Sequence, residues 1–187
     1  MRNSITPLPG GRLRKEYRGT LAWKRETTLL RQMAGSGLCP ELLDAPLRQA
    51  EMTECPGVPL GECVRAASRQ EAREMMAALA AWTDAFEREY HRRTGQTAVL
   101  EDLSPGNFLW DAASRKITGL DFEFWHTGSP AENRGGLLCM AERLKAAEIT
   151  GEELTGFQQY TGAGTVSLYN SGRYQLVDLV STEQSAV

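Results

Sequence analysis

Hydrophobic positions along this chain fall into short extended runs and three helical stripes, punctuated by glycine and proline. Residues 1–11 contain Pro7, Pro9, Gly10 and Gly11, which predicts an irregular opening with a tight turn before residues 12–17 become extended. Leu13, Lys15 and Tyr17 then share one face. Residues 21–34 predict a helix, because Ala22, Leu29, Leu30 and Met33 recur at helical spacing and Gly35-Ser36-Gly37 ends the run. Residues 39–46 read as a connection into a strand, and residues 48–55 as a second strand closed by Pro56-Gly57. The longest stripe lies in residues 68–93, where Met75, Leu79, Trp82, Phe86 and Tyr90 line one helix face and form core rather than a cofactor box. Phe108-Leu109-Trp110 and residues 117–122 are apolar runs on either side of the polar residues 111–116, which predicts a hairpin. Residues 124–130 are expected to be a loop, and residues 132–147 a helix with Leu137, Met140, Ala141 and Leu144 inward. Further on, residues 151–154 open a short helix and residues 161–165 make a glycine-rich turn. That turn lacks the following Lys-Ser or Lys-Thr of a phosphate loop. Residues 166–180 form either a hairpin about Asn170-Ser171-Gly172 or a partly helical end.

Composition narrows the setting. With 187 residues, 41% of them hydrophobic, the chain suits one compact domain or a small two-lobed one. A net charge of -3 with interspersed signs argues against nucleic acid as a main partner, although Arg12, Arg14, Lys15 and Arg18 form a local basic cluster. Cys39, Cys55, Cys63 and Cys139 show no paired ligand spacing and only His91 and His126 could join them, so reduced thiols in the cytosol fit better than zinc. Neither histidine is assigned a function: His91 sits at a helix end, and a lone His126 is more often structural. No run is long enough to span a membrane and no signal segment opens the chain. The expectation is a cytoplasmic protein.

The candidate chemistry concentrates in residues 99–123. Asp102 and Asn107 flank a Pro105-Gly106 turn, and the predicted hairpin returns Asp121 between Leu120 and Phe122. A carboxylate in such a strand is partly desolvated and requires a cation, hydrogen bonds or a proton. Magnesium is one such cation, for which a carboxylate and an amide oxygen are suitably hard ligands. Asp102 is placed to orient or deprotonate an attacking hydroxyl. The plainer alternative makes Asp102 a turn cap, Asn107 its closure and Asp121 a strand-end residue. Lys15, on an apolar face, needs a carboxylate or a phosphate. Glu26 falls on the helix stripe with Ala22, Leu29 and Leu30 and, facing inward, needs a cation; Lys15 is the evident one. Otherwise Glu26 is a half-exposed residue pairing with Lys24 or Arg25.

Glu101-Asp102-Leu103-Ser104-Pro105-Gly106-Asn107 and Leu120-Asp121-Phe122-Glu123 resemble the two signatures of the aminoglycoside phosphotransferase and choline kinase branch of the protein-kinase-like superfamily. Leu100 and Glu101 stand where that branch often carries His and Gly, the His being a brace for the loop, and no glycine-rich loop precedes Lys15. The resemblance implies an α+β, two-lobed protein-kinase-like fold. Residues 1–56 would be a truncated N-lobe, a small antiparallel sheet with one helix, and residues 57–187 a mainly helical C-lobe in the same structural unit. It implies ATP and Mg2+ as cofactors: Lys15, paired with Glu26, on the nucleotide phosphates, Met52, Thr53 and Glu54 as the hinge offering backbone groups to adenine, Asn107 and Asp121 on the metal, and Asp102 as catalytic base. The activity implied is transfer of the γ-phosphate to a hydroxyl of a small molecule. Glu123 stands where protein kinases carry Gly, and no Ala-Pro-Glu segment follows, so a protein Ser/Thr kinase ranks below it. The alternative is a catalytically degenerate kinase-like protein that senses nucleotide or scaffolds a protein partner.

Overall fold

The computed structural model describes residues 3–143 and the strands Thr165–Asn170 and Arg173–Asp178. The chain opens with β1 (Ser4–Leu8) and β2 (Arg12–Glu16), followed by helix α1 (Thr20–Gln32), β3 (Leu42–Asp44) and β4 (Gln49–Thr53). These four strands make one antiparallel sheet in the order β1-β2-β4-β3. The opening is therefore a hairpin, not an irregular segment. Gly10 and Gly11, both at positive φ (79° and 65°), supply the tip that lets β1 return as β2.

β5 (Val58–Pro59), α2 (Leu60–Ala66) and α3 (Arg69–Thr94) begin the larger lobe. α3 starts at a capping box, in which the Ser68 hydroxyl accepts from the Glu71 amide while the Glu71 carboxylate accepts from the Ser68 amide, and stops at Gly95 in the left-handed region. Met75, Leu79, Trp82, Phe86 and Tyr90 are all buried along it, as the helical spacing requires. β6 (Ala98–Leu100), the turn Pro105–Asn107, β7 (Phe108–Asp111), β8 (Lys116–Gly119), β9 (Trp125–Thr127) and α4 (Pro130–Arg143) follow. β7 and β8 are the expected hairpin, extended by β5 to a three-stranded sheet. The expected loop after Phe124 contains a strand: β9 pairs with β6, Val99 opposite His126. The second strand of that hairpin, expected to run through residues 117–122, ends early, at Gly119, leaving Asp121 outside it.

Aromatic packing joins these pieces. The Phe86 ring stacks on Trp82 at 5.0 Å and on Phe122 at 5.7 Å, and Trp82 meets Phe108 edge-on at 5.1 Å. α3 thus holds both the hairpin and the segment after Asp121 against one core. Asn133 in α4 is fully buried; its side-chain oxygen accepts from the Leu100 amide at 2.8 Å, and its amide donates to Glu87 and to the Ala98 carbonyl, each at 2.9 Å. That leaves no polar atom of Asn133 unpaired and fixes β6, the strand leading into Asp102. Further along the chain, Thr165–Asn170 and Arg173–Asp178 pair as an antiparallel hairpin, choosing between the two readings of that stretch. The expected short helix at residues 151–154, the turn at 161–165 before its last residue, and Leu144 lie outside the described residues. Among the described residues no helix is long and apolar enough to cross a membrane.

Candidate functional site

A cleft of about 950 Å³ opens between the two lobes. Leu13, Lys15, Ala22, Glu26 and Met52 reach it from the smaller lobe, and Asp102, Asn107, Leu109, Leu120, Asp121 and Glu123 from the larger one. All eight candidate site residues, Lys15, Glu26, Met52, Thr53, Glu54, Asp102, Asn107 and Asp121, line it.

Lys15 is the hub. Its position on β2, opposite Ala50 of β4, points it beneath the sheet, where it is 5% exposed. Its Nζ lies 2.6 Å from Glu26 Oε2, 2.7 Å from Asp121 Oδ1 and 2.7 Å from Glu123 Oε1. The expected Lys15–Glu26 pair is present, and the local pairing of Glu26 with Lys24 or Arg25 gives way to it because Glu26 is 2% exposed. Burial works against the lysine charge, yet the carboxylates of Glu26 and Asp121 outweigh it and hold the ammonium above the ordinary lysine range. Burial drives Glu26 and Glu123 the other way, above the usual carboxylate range. Tyr17 closes the floor with its ring 5.1 Å from Lys15 Nζ, and burial, then the Glu26 charge, keeps its hydroxyl protonated.

Asp121 differs from its expected setting. It sits past the end of β8 with φ at 59°, and its side chain is 42% exposed rather than desolvated in a strand. Asp and Asn are the side chains that best tolerate this left-handed geometry. The turn is held from both sides: the Leu120 amide donates to the Asn107 carbonyl at 2.7 Å, and the Phe122 amide to Glu26 Oε1 at 3.3 Å. Asn107 donates its side-chain amide to the Asp102 carbonyl at 3.0 Å. That bond couples the two ends of the loop and commits the nitrogen, so the side-chain oxygen is the atom available to a metal. Asp102 is exposed at the cleft.

Glu26, Asp121 and Glu123 place carboxylate oxygens within 4.8 Å of one another around a single ammonium. Each of the three offers one hard oxygen ligand, so this donor set could hold a divalent cation. Glu123 was not among the candidates from sequence, although it stands two residues beyond Asp121 in the same motif. It is 6% exposed, and it accepts a hydrogen bond from the Asn3 side chain.

The hinge expectation shifts. The Thr53 amide donates to the Glu41 carbonyl at 3.0 Å and the Glu54 amide to the Gly11 carbonyl at 2.8 Å. Thr53 and Glu54 therefore do not offer those amides to a ligand, because the sheet uses them. Gly10 and Gly11 belong to that same hairpin tip and do not line the cleft.

No protein-family model matches the sequence, and no curated protein does. Among solved structures the chain is similar to the kinase PK-1 of Cydia pomonella granulovirus, with a TM-score of 0.58 over 82% of this chain and 69% of that one, at 10% identity. At that identity the likeness speaks for the fold alone. The chain has a two-lobed, protein-kinase-like α+β fold, with a small antiparallel sheet and one helix set on a mainly helical lobe.

Proposed function

We propose that the chain is an ATP-dependent phosphotransferase of the aminoglycoside phosphotransferase and choline kinase kind, moving the γ-phosphate to a hydroxyl of a small molecule. The observation that carries this reading is the meeting of Lys15 with Glu26 and Asp121 at 2.6 and 2.7 Å in the cleft that also holds Asp102 and Asn107. Asp121 and the Asn107 side-chain oxygen would hold magnesium, which when bound supplies charge neutralisation at the phosphate oxygens. Lys15, kept charged and oriented by Glu26, binds phosphate. Leu13, Met52 and Leu109 offer apolar surface to the base. Asp102 accepts or orients the proton of the acceptor hydroxyl. Few side chains are needed because catalysis of this kind is mainly positioning and charge stabilisation.

A second reading, a kinase-like sensor or scaffold without transfer, draws on Leu100-Glu101 in the loop and on the Asn3 contact to Glu123. Thermal unfolding with ATP, with and without magnesium, tests both. A ligand at about 100 times its Kd stabilises by about 2.7 kcal/mol. The expected result is a magnesium-dependent rise in midpoint that Asp121→Asn abolishes; asparagine keeps the φ of 59° while removing the charge. No response to millimolar ATP would end the phosphotransferase reading. Stabilisation without turnover across a panel of hydroxyl acceptors would favour the sensor.

A further inference from the structure

The loop that carries Asp102 leaves β6, a strand of only three residues, and its first residue is a glutamate. A carboxylate there has no obvious use unless something holds it. His126 does so: its Nδ1 lies 2.9 Å from Glu101 Oε1. The other ring nitrogen, Nε2, lies 3.3 Å from Glu132 Oε2 in the first turn of α4. Glu132 is fixed in turn, since its Oε1 accepts from the Ser129 amide at 2.8 Å. The backbone repeats the tie, with the Glu101 amide donating to the Phe124 carbonyl at 3.0 Å. One imidazole thus links the start of the loop, the strand after Asp121 and the helix behind both. A neutral ring has a single N–H and satisfies one carboxylate; an imidazolium donates to both.

We propose that Glu101, His126 and Glu132 form a brace that positions the Asp102 loop, with His126 and Glu101 as positioning residues for phosphoryl transfer. This rests on the phosphotransferase reading of that loop. The brace acts at the start of the loop, where it adds a side-chain tie to the backbone bonds from Leu100 to Asn133 and from Glu101 to Phe124, while the Asn107 bond to the Asp102 carbonyl closes the loop on itself. Its three side chains are 37–39% exposed, so each link is worth no more than a partly solvated ion pair. The brace therefore tunes the loop and does not hold the fold together.

The experiment compares wild type, His126→Ala and His126→Arg as full chains. Hydrogen exchange reports on the loop amides of residues 101–107, and steady-state hydrolysis of magnesium-ATP, with water as acceptor, reports on turnover. His126→Ala is expected to lower loop protection and kcat each by about fivefold, with KM for magnesium-ATP held within about twofold. The Leu100 amide, anchored by Asn133, keeps its protection. Arginine offers more than one N–H donor to the two carboxylates, so His126→Arg restores most of both losses. Unchanged loop protection in His126→Ala, an arginine variant as loose as the alanine one, or an effect on KM instead of kcat overturns the proposal. A wild-type chain that neither binds nor hydrolyses magnesium-ATP refutes the phosphotransferase reading, and the positioning role with it, even where exchange shows the brace intact.

Discussion

Replacing Lys15 by methionine keeps the length of the side chain and removes the ammonium that pairs with both Glu26 and Glu123, which are 2% and 6% exposed. At an effective dielectric of about 20, each ion pair at these separations is worth about 6 kcal/mol of Coulomb attraction before desolvation. Without the lysine that attraction vanishes, and carboxylate oxygens no more than 4.8 Å apart repel by about 3.5 kcal/mol or more on the same scale. The folded variant has one escape, which is to take up protons. For a glutamate at its ordinary value of 4.5, protonation at pH 7 costs about 3.4 kcal/mol, and at pH 5 about 0.7 kcal/mol. The variant is therefore expected to be less stable than wild type by about 3–5 kcal/mol at pH 7, the usual cost of stranding a buried charge. About 2.7 kcal/mol of that deficit should disappear by pH 5 when one carboxylate protonates. Urea unfolding of both proteins at the two pH values measures it, with Lys15→Met/Glu26→Gln expected to recover part of the loss at pH 7. A deficit below about 1 kcal/mol, or one equal at both pH values, would refute the claim that Lys15 is the counter-charge of a buried carboxylate cluster.

Glu87 offers the converse test, because burial raises its carboxyl above the usual range while Asn133 donates to it. A raised acid binds protons more readily folded than unfolded, so wild type loses stability as the pH rises from the ordinary glutamate value through the raised one. Glu87→Gln keeps an acceptor for Asn133 and does not titrate, so its melting midpoint should exceed that of wild type at pH 7, with the gain fading as the pH falls toward 4. Gly119→Ala would drive a methyl group into the Trp82 indole at the end of the strand that delivers Asp121. Overpacking against a rigid ring costs about 1–3 kcal/mol, and the loss should appear in urea unfolding together with weaker magnesium-ATP stabilisation, since the Asp121 turn follows directly.

Much of this architecture is legible in the chain because the relevant signals are local. The apolar spacing of Met75, Leu79, Trp82, Phe86 and Tyr90 fixes a helix face whatever surrounds it, and Ser68 with Glu71 marks where that helix begins. The stripe containing Glu26 and the alternation containing Lys15 determine that both turn inward, and two inward opposite charges on adjacent elements leave little choice of partner. The spacing from Asp102 to Asn107 likewise encodes a turn that closes on itself.

What the sequence did not decide depends on partners distant along the chain. β1 looked irregular because its prolines and glycines are turn formers, and only pairing with β2 makes it a strand. β9 has no pattern of its own and exists because β6 lies beside it. Asp121 read as a strand residue, since Leu120 and Phe122 are apolar; it instead takes a left-handed φ because Leu120 is held by Asn107 and Phe122 by Glu26, contacts that no local propensity contains. Glu123 and His126 were given no place in the site for the same reason. A charged side chain acquires its role from the charges that folding brings to it, Lys15 in the first case and Glu101 with Glu132 in the second. Periodicity specifies which way a side chain faces, whereas only the tertiary structure specifies what it faces.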